Sequence, residues 1–333
     1  MAEISVIIPV YNVEKYLAEC LESVRIQSFK DWEAICVNDG ATDNSPAILK
    51  EFAAKDPRFR IIEQENGGLS AARNAGVRAV TGKYIYFLDS DDLITPDALQ
   101  WMYETAELYK TDLLHFAGEP FYEPGVEKDP FEEQDFFKGQ YGECVSGDVL
   151  LLQMLRKNDW NPGVVYRFYR KDFYTENHLS FHEGVLHEDE AFSLIADLSA
   201  KRTMRQNKIC YRRRVRAGSI MTFSSAARHL TGCLTAYDDI QKFLNTKHFP
   251  AEVTDFIRRR LACLLLSAKK YLPEDPDTTL LQRIADAEKF IAEAEAADER
   301  ANRKFLDRLF APLRCLRENG LRYTLKRIFG KKS

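Results

Sequence analysis

The first apolar run, residues 4–10 (ISVIIPV), is short, β-branched and almost unbroken, as expected of a strand covered on both faces. A helical spacing follows. Tyr16, Leu17, Cys20, Leu21 and Val24 fall on one stripe at i, i+1, i+4, i+5 and i+8. Residues 32–37 predict a second strand, after which Asn44 and Pro46 supply an N-cap and a first-turn proline for a helix over 47–54. Residues 60–63 predict a third strand, 69–80 a helix and 84–88 a fourth strand. Strands and helices alternating in this way predict an α/β fold, a mostly parallel sheet covered by helices.

Beyond about residue 116 the pattern loosens. Residues 119–142, rich in acids, proline and phenylalanine, predict a loop or hairpin excursion. Helices are expected over 149–156 and 190–198, and strands over 164–170 and 208–213. From residue 228 to 333 nearly everything reads as helix, including the Ala/Glu-rich stretch 281–297.

A chain of 333 residues has enough apolar material for one large domain or two ordinary ones. Its longest apolar stretches, 4–11 and 261–268, fall far short of the roughly 18–20 residues of a membrane helix. The N-terminus runs into the first strand with no basic region before it, and so does not read as a signal peptide. Seven cysteines, at 20, 36, 144, 210, 233, 263 and 315, form no C-x-x-C pair. That argues against a disulfide framework or a cysteine zinc site, and for the reduced thiols of a soluble cytoplasmic protein.

Lys and Arg number 47 against 51 Asp and Glu, a net charge of −4, which speaks against a globally basic nucleic-acid binder. The charge is uneven: residues 300–333 hold 11 Lys/Arg against 2 Asp/Glu, leaving 36 basic and 49 acidic side chains elsewhere.

Two nucleotide motifs are excluded first. No G-x-G-x-x-G follows the first strand, and the segment from Gly76 to Tyr84 imitates a phosphate loop with one residue too many and Tyr where Ser or Thr belongs. The positive signals sit at strand ends, where open α/β sheets bind ligands. Asp89, Asp91 and Asp92 crowd three carboxylates into four residues. Magnesium or manganese, held by one or two of them together with substrate phosphates, would relieve the repulsion. An acidic helix start before Thr95-Pro96 is the alternative. Asn38-Asp39-Gly40 reads either as a site or as an Asx-type turn. Asn66-Gly67-Gly68 opens a helix carrying Arg73, which either reaches a phosphate or stays in solvent. His178, His182 and His187 are a weak zinc candidate. Trp160, Tyr166 and Phe168 read as core rather than as a sugar-stacking platform.

Four segments in order resemble the inverting family-2 glycosyltransferases of the GT-A fold: Val6-Ile7-Ile8-Pro9-Val10-Tyr11-Asn12, Val37-Asn38-Asp39-Gly40-Ala41-Thr42-Asp43, Asn66-Gly67-Gly68-Leu69-Ser70-Ala71-Ala72-Arg73-Asn74 and Phe87-Leu88-Asp89-Ser90-Asp91-Asp92. The resemblance is strongest over residues 1–115 and recognisable to about 222. It implies a GT-A-like domain over 1–222, with a nucleotide-binding half to 115 and an acceptor-side half after it, followed by a helical region over 223–333. It implies further that Pro9 and Tyr11 line the base pocket and that Asp39 accepts from the uracil ring. Arg73 and Ser90 would lie near the nucleotide, Asp89 at the ribose, and Asp91 on the metal bridging the diphosphate. Asn38 stands where the family commonly has Asp. Gly184-Val185-Leu186-His187-Glu188-Asp189-Glu190 resembles the family's Glu-Asp motif, with Asp189 as the base and Glu188 at the acceptor. The basic segment from Tyr211 to Met221 resembles its closing segment, with Arg214 and Ser219 near the diphosphate.

The expected activity is transfer of a sugar from a nucleotide-sugar, a UDP-sugar by the resemblance, to a glycan or lipid-linked saccharide hydroxyl. A nucleotidyltransferase and a non-catalytic nucleotide-sugar-binding module of a glycan-assembly complex stay open as alternatives. In the tail, Phe305, Leu309, Leu313 and Leu316, then Leu321, Leu325 and Ile328, recur at helical spacing among basic residues. That pattern suits peripheral contact with an anionic membrane surface. Packing on the body or on a second subunit of a homo-oligomer is the alternative.

Overall fold

The computed structural model describes residues 2–126, 139, 141–157, 159–216, 225–273 and 276–301. The chain opens with β1 (Ile4–Val10), α1 (Glu14–Arg25), β2 (Trp32–Asp39), α2 (Ser45–Lys55), β3 (Phe59–Gln64), α3 (Leu69–Arg78) and β4 (Tyr84–Phe87). β1 and β2 are buried at every position, which is why they read as unbroken apolar runs rather than as alternation. After the acidic turn come β5 (Leu93–Ile94), α4 (Ala98–Tyr109), β6 (Leu113–Tyr122), β7 (Tyr141–Val145), α5 (Gly147–Arg156), β8 (Arg167–Arg170), α6 (Lys171–Glu176), α7 (Glu188–Ser199) and β9 (Thr203–Val215).

These strands form one sheet in the order β3-β2-β1-β4-β8-β6-β9-β5, with β7 also on β9. β3, β2, β1, β4, β6 and β9 run one way; β8, β5 and β7 run against them. The expected mostly parallel, helix-covered sheet is therefore present. The chain goes outward from β1 to β2 and β3 and returns to β4 on β1's other side. The carboxyl ends of β1 and β4 thus flank a switch point, where sheets of this kind form a ligand crevice.

The second half differs from its sequence pattern in detail. Residues 164–166 form a 3-10 turn before β8, so the strand is shorter than expected, whereas β9 is longer on both sides of 208–213. Part of the stretch read as a loop belongs to β6, which pairs along β9 as far as Tyr122 and Val215. Asn44 stands at the N-cap position of α2, but its side chain makes no cap bond. Asp43 satisfies that helix start instead, accepting from the Ser45 amide at 2.9 Å. The six cysteines among the described residues are free thiols.

Helices α8 (Ala226–Leu244), α9 (Ala251–Ala268) and α10 (Thr278–Ala301) follow, and none is long and apolar enough to cross a membrane. α8 and α9 share an apolar cluster with α5 and α7, in which Leu150, Leu151 and Leu194 meet Ile240, Ile257 and Leu261. Contact is close at Gly232 of α8, where a Cβ would lie 2.1 Å from the Leu186 carbonyl oxygen, immediately before the acidic start of α7. Backbone cannot yield as a side-chain tip can. Gly232→Ala is therefore expected to destabilise the fold by about 1–3 kcal/mol, read as a lower midpoint in urea unfolding. An unchanged midpoint would contradict this packing.

Candidate active site

Three strand ends and two helix starts converge at the switch point. β1 ends in exposed Tyr11 and in Asn12, whose φ is +51°. The Asn12 side chain accepts from the Thr42 amide at 2.8 Å, tying the end of β1 to the loop after β2. Pro9 is buried in β1 beside them. Asp39, at the end of β2, is 3% exposed. Its Oδ1 accepts from Gln64 Nε2 at 2.7 Å and the Gly67 amide at 2.8 Å, and its Oδ2 from the Gly68 amide at 2.9 Å. A carboxylate offers about four acceptor positions, so Asp39 orders the glycine turn and still has a lone pair on Oδ2 for a ligand N–H. Gly40 is required beside it, because its φ is +71° and a Cβ would meet the Asn66 amide nitrogen at 2.9 Å.

The same glycine turn opens α3, whose Arg73 is 3% exposed. One guanidinium nitrogen donates to Asp89 at 2.9 Å and another to Glu188 at 2.8 Å. A residue read from sequence as either phosphate contact or solvent charge is thus a buried bridge between two acidic motifs about a hundred positions apart. Its charge is held more firmly than a free arginine's: burial opposes it, and the Asp89 and Glu188 carboxylates outweigh burial.

The three acids of the turn after β4 separate into distinct environments. Asp89 is partly exposed on Arg73, Ser90 is buried, and Asp91 meets Arg216 at 2.8 and 2.9 Å. Asp92 is 4% exposed and accepts from the Tyr211 hydroxyl and, at 2.5 Å, from the Arg214 amide. Burial, with Asp91 and Asp89 adding to it, pushes the Asp92 carboxyl up to about 8. Asp92 therefore acts as the hinge pin that fixes β9 to the turn and leaves Asp89 and Asp91 at the crevice.

Arg214 and Arg216 of the basic segment have different partners. Arg214 donates to Glu19, Glu123 and the Asp91 carbonyl and lies over the Phe121 and Tyr16 rings, so its guanidinium is occupied by protein. Arg216, just past the end of β9, is the arginine on the Asp91 carboxylate. Ser219 lies outside the described residues, as does the tail beyond 301.

Hard oxygen donors on Asp89 and Asp91, with a guanidinium drawn onto the latter, fit a magnesium- or manganese-type cation that takes its other ligands from a diphosphate and water. Among the described residues no cluster of three or more His, Cys, Asp or Glu forms a protein-only metal cage. The three histidines singled out from sequence do not converge: His182 pairs with Asp239 at 2.9 Å, and His187 with His229 at 3.1 Å. Tyr166 and Phe168 are core, and Trp160 donates to Asp197 at 2.6 Å.

α7 carries the remaining acids. His187, at φ +62°, turns the chain into the helix, which opens with Glu188, Asp189 and Glu190. Glu188 is held by Arg73, and Glu190 by Arg260 of α9 at 2.6 Å. Farther along α7, Asp197 is buried on Arg167 at 2.8 Å, locking the helix against the sheet. Asp189, between the two clamped neighbours, is pushed up to about 7 by burial first, then by the Glu188 and Glu190 charges, with Arg73 pulling the other way. Sequence spacing gave no sign of Arg260 or His229; both reach the motif from helices beyond residue 225.

The Asp189 shift has a sign that stability can read. The folded chain holds this proton to a higher pH than the unfolded chain, so ionising it costs stability progressively between about pH 4 and pH 7. Asp189→Asn carries no such cost. Its thermal midpoint, measured without ligand, should exceed the wild type's by a margin that widens from pH 5 to pH 8. A constant margin would contradict the half-buried, crowded carboxylate.

With this geometry in hand, the likeness to known proteins is informative. Residues 5–175 match the family described as glycosyl transferase family 2. The glycosyltransferase GlyA of Streptococcus pneumoniae is 33% identical over 234 residues, which are 66% of this chain and 31% of GlyA, so the chain spans about a third of that relative. Among solved structures, S. aureus TarS 1-349 in complex with UDP-GlcNAc superposes with a TM-score of 0.66 at 24% identity, covering 87% of this chain and 81% of that one. The mannosyltransferase PcManGT from Pyrobaculum calidifontis, in complex with GDP-Man and Mn2+, gives 0.56 at 15% identity, covering 99% and 88%. At these identities the two structures establish the shared GT-A fold. The family match takes in half of the chain and all four ordered motifs, and the chain belongs to glycosyl transferase family 2.

Proposed function

We propose that the protein transfers a sugar from a UDP-sugar to a hydroxyl of a glycan or lipid-linked saccharide, inverting the anomeric centre in a single displacement. The observation that carries this reading is the Arg73 bridge, which joins the acidic turn after β4 to the Glu188-Asp189 start of α7. Tyr11 offers an exposed ring to the base, and Asp39 accepts a ring N–H on Oδ2. Asp89 and Ser90 meet the ribose. Asp91 would hold a magnesium or manganese ion, whose charge would offset that of the diphosphate. Arg216 adds a guanidinium on the same side.

The acceptor oxygen attacks the anomeric carbon as the bond to the diphosphate oxygen breaks. The proton goes to Asp189, and UDP leaves with the bonding pair. A carboxyl near 7 is well matched to this task, because it is ionised at the upper end of the physiological range yet basic enough to accept the proton. Glu188 orients the acceptor. The likeness to structures bound to UDP-GlcNAc and to GDP-Man with Mn2+ supports a nucleotide-sugar donor and a divalent cation. The basic tail, with 11 Lys/Arg against 2 Asp/Glu over 300–333, would hold the protein at an anionic membrane surface, where lipid-linked acceptors lie.

Asp189→Asn is expected to lower turnover by roughly 10²–10⁴-fold, the usual worth of a positioned base, while UDP binding persists. Asp91→Ala should lose turnover together with the metal dependence of UDP binding. An Asp189→Asn enzyme with normal turnover would remove that residue from the base role. Release of pyrophosphate in place of UDP would mark a nucleotidyltransferase instead.

A further inference from the structure

A cleft of about 350 Å³ lies where the 177–182 segment, α7 and α8 meet, within the roughly 300–1,000 Å³ usual for small-ligand sites. Its wall includes Glu188, so it begins at the residue that precedes Asp189. It is also built into the active-site frame. Asn74, next to Arg73, donates to the Phe181 carbonyl at 2.9 Å and accepts from the Phe181 amide at 3.0 Å, fixing the 177–182 segment to α3. His182 reaches across to Asp239 of α8 at 2.9 Å, fixing the other side. At the rim His178 sits at φ +51°, in the left-handed turn that ends α6, where the Leu179 amide donates to the Tyr174 carbonyl at 3.1 Å.

The charges of the cleft are unevenly satisfied. Of its two carboxylates, Glu188 is held by Arg73 and Asp239 by His182. Lys242 and His178 line the same space without a partner among the described residues. Ile195 and Phe243 supply an apolar surface beside them. An ammonium and an imidazole with open donors, set over an apolar floor, recognise a ring with one hydrophobic face and an anionic substituent.

We propose that this cleft binds the acceptor and selects a saccharide bearing a carboxylate or a phosphate, with α8 supplying the selectivity through Lys242. The inference rests on the sugar-transfer reading for the identity of the site, and it adds the class of acceptor and the residues that choose it. Lys242 and His178 hold the anionic group, Phe243 faces the ring, and the acceptor hydroxyl is presented toward Glu188 and Asp189.

The test titrates glucuronate, glucose 6-phosphate and glucose into the full chain while following the His178 and His182 ring signals by NMR, with UDP binding measured on the same preparation. The two anionic sugars should shift both histidines and glucose should not; the stronger of the two identifies carboxylate or phosphate as the preferred group. Lys242→Gln should weaken the anionic response roughly ten-fold or more, the worth of a charge-assisted hydrogen bond, and Lys242→Arg should retain it. An equal response to glucose would overturn the selectivity. No response to any sugar in protein that binds UDP would overturn the cleft as the acceptor site. Sugar responses in protein that fails to bind UDP would count against the donor assignment and leave the cleft standing.

Discussion

A guanidinium buried between two carboxylates of different origin organises this molecule. Arg73 has almost no solvent to fall back on, and each of its bonded nitrogens is committed to an acid from a distant part of the chain. Removing one partner from such an arrangement costs about 3–5 kcal/mol, because the other charge is left stranded in a poorly polarisable place. Every element that meets Arg73 is thereby held in register: the glycine turn that starts α3, the acidic turn after β4, and the first turn of α7. In the proposed reaction this makes the donor site and the proton acceptor one rigid unit, the preorganisation that displacement at a sugar carbon demands.

The helices after residue 225 complete that unit rather than hanging from it. Arg260 clamps Glu190, His229 meets His187, and Gly232 admits the backbone of the 184–187 turn. Asp189 therefore lies between an acid held from the sheet side and an acid held from the helical side. Its raised proton affinity is a product of both, since burial and the two neighbouring carboxylates act in the same direction. With Asp189 ionised the fold is less stable, a common exchange of stability for function if this carboxylate is the proposed base.

Much of this was legible in the sequence because the relevant signals are local. Unbroken apolar runs betrayed the strands buried on both faces, and strand-end clusters such as Asp39-Gly40 and Asp89-Ser90-Asp91 marked the crevice. Long-range pairing is where legibility failed. Nothing in the spacing distinguishes Arg216, which meets Asp91, from Arg214, which Glu19 and Glu123 absorb. The difference arises from where β9 lies against the acidic turn, which Asp92 fixes through Tyr211 and the Arg214 amide. The same holds for Asp43, whose carboxylate takes both the Ser45 amide that starts α2 and the distant Glu14 amide while the Asn44 side chain makes no cap bond. β6 was hidden because its outer half is only partly buried and carries no continuous apolar run.

The proposed reaction requires a nucleotide diphosphate seated between Asp39 and the acidic turn, with a cation compensating Asp91. Calorimetric titration of UDP into the full chain, first with manganese and then with EDTA, addresses this directly. Saturable binding with manganese that is lost or sharply weakened in EDTA is the predicted result. Heat of dilution alone in both conditions would contradict it.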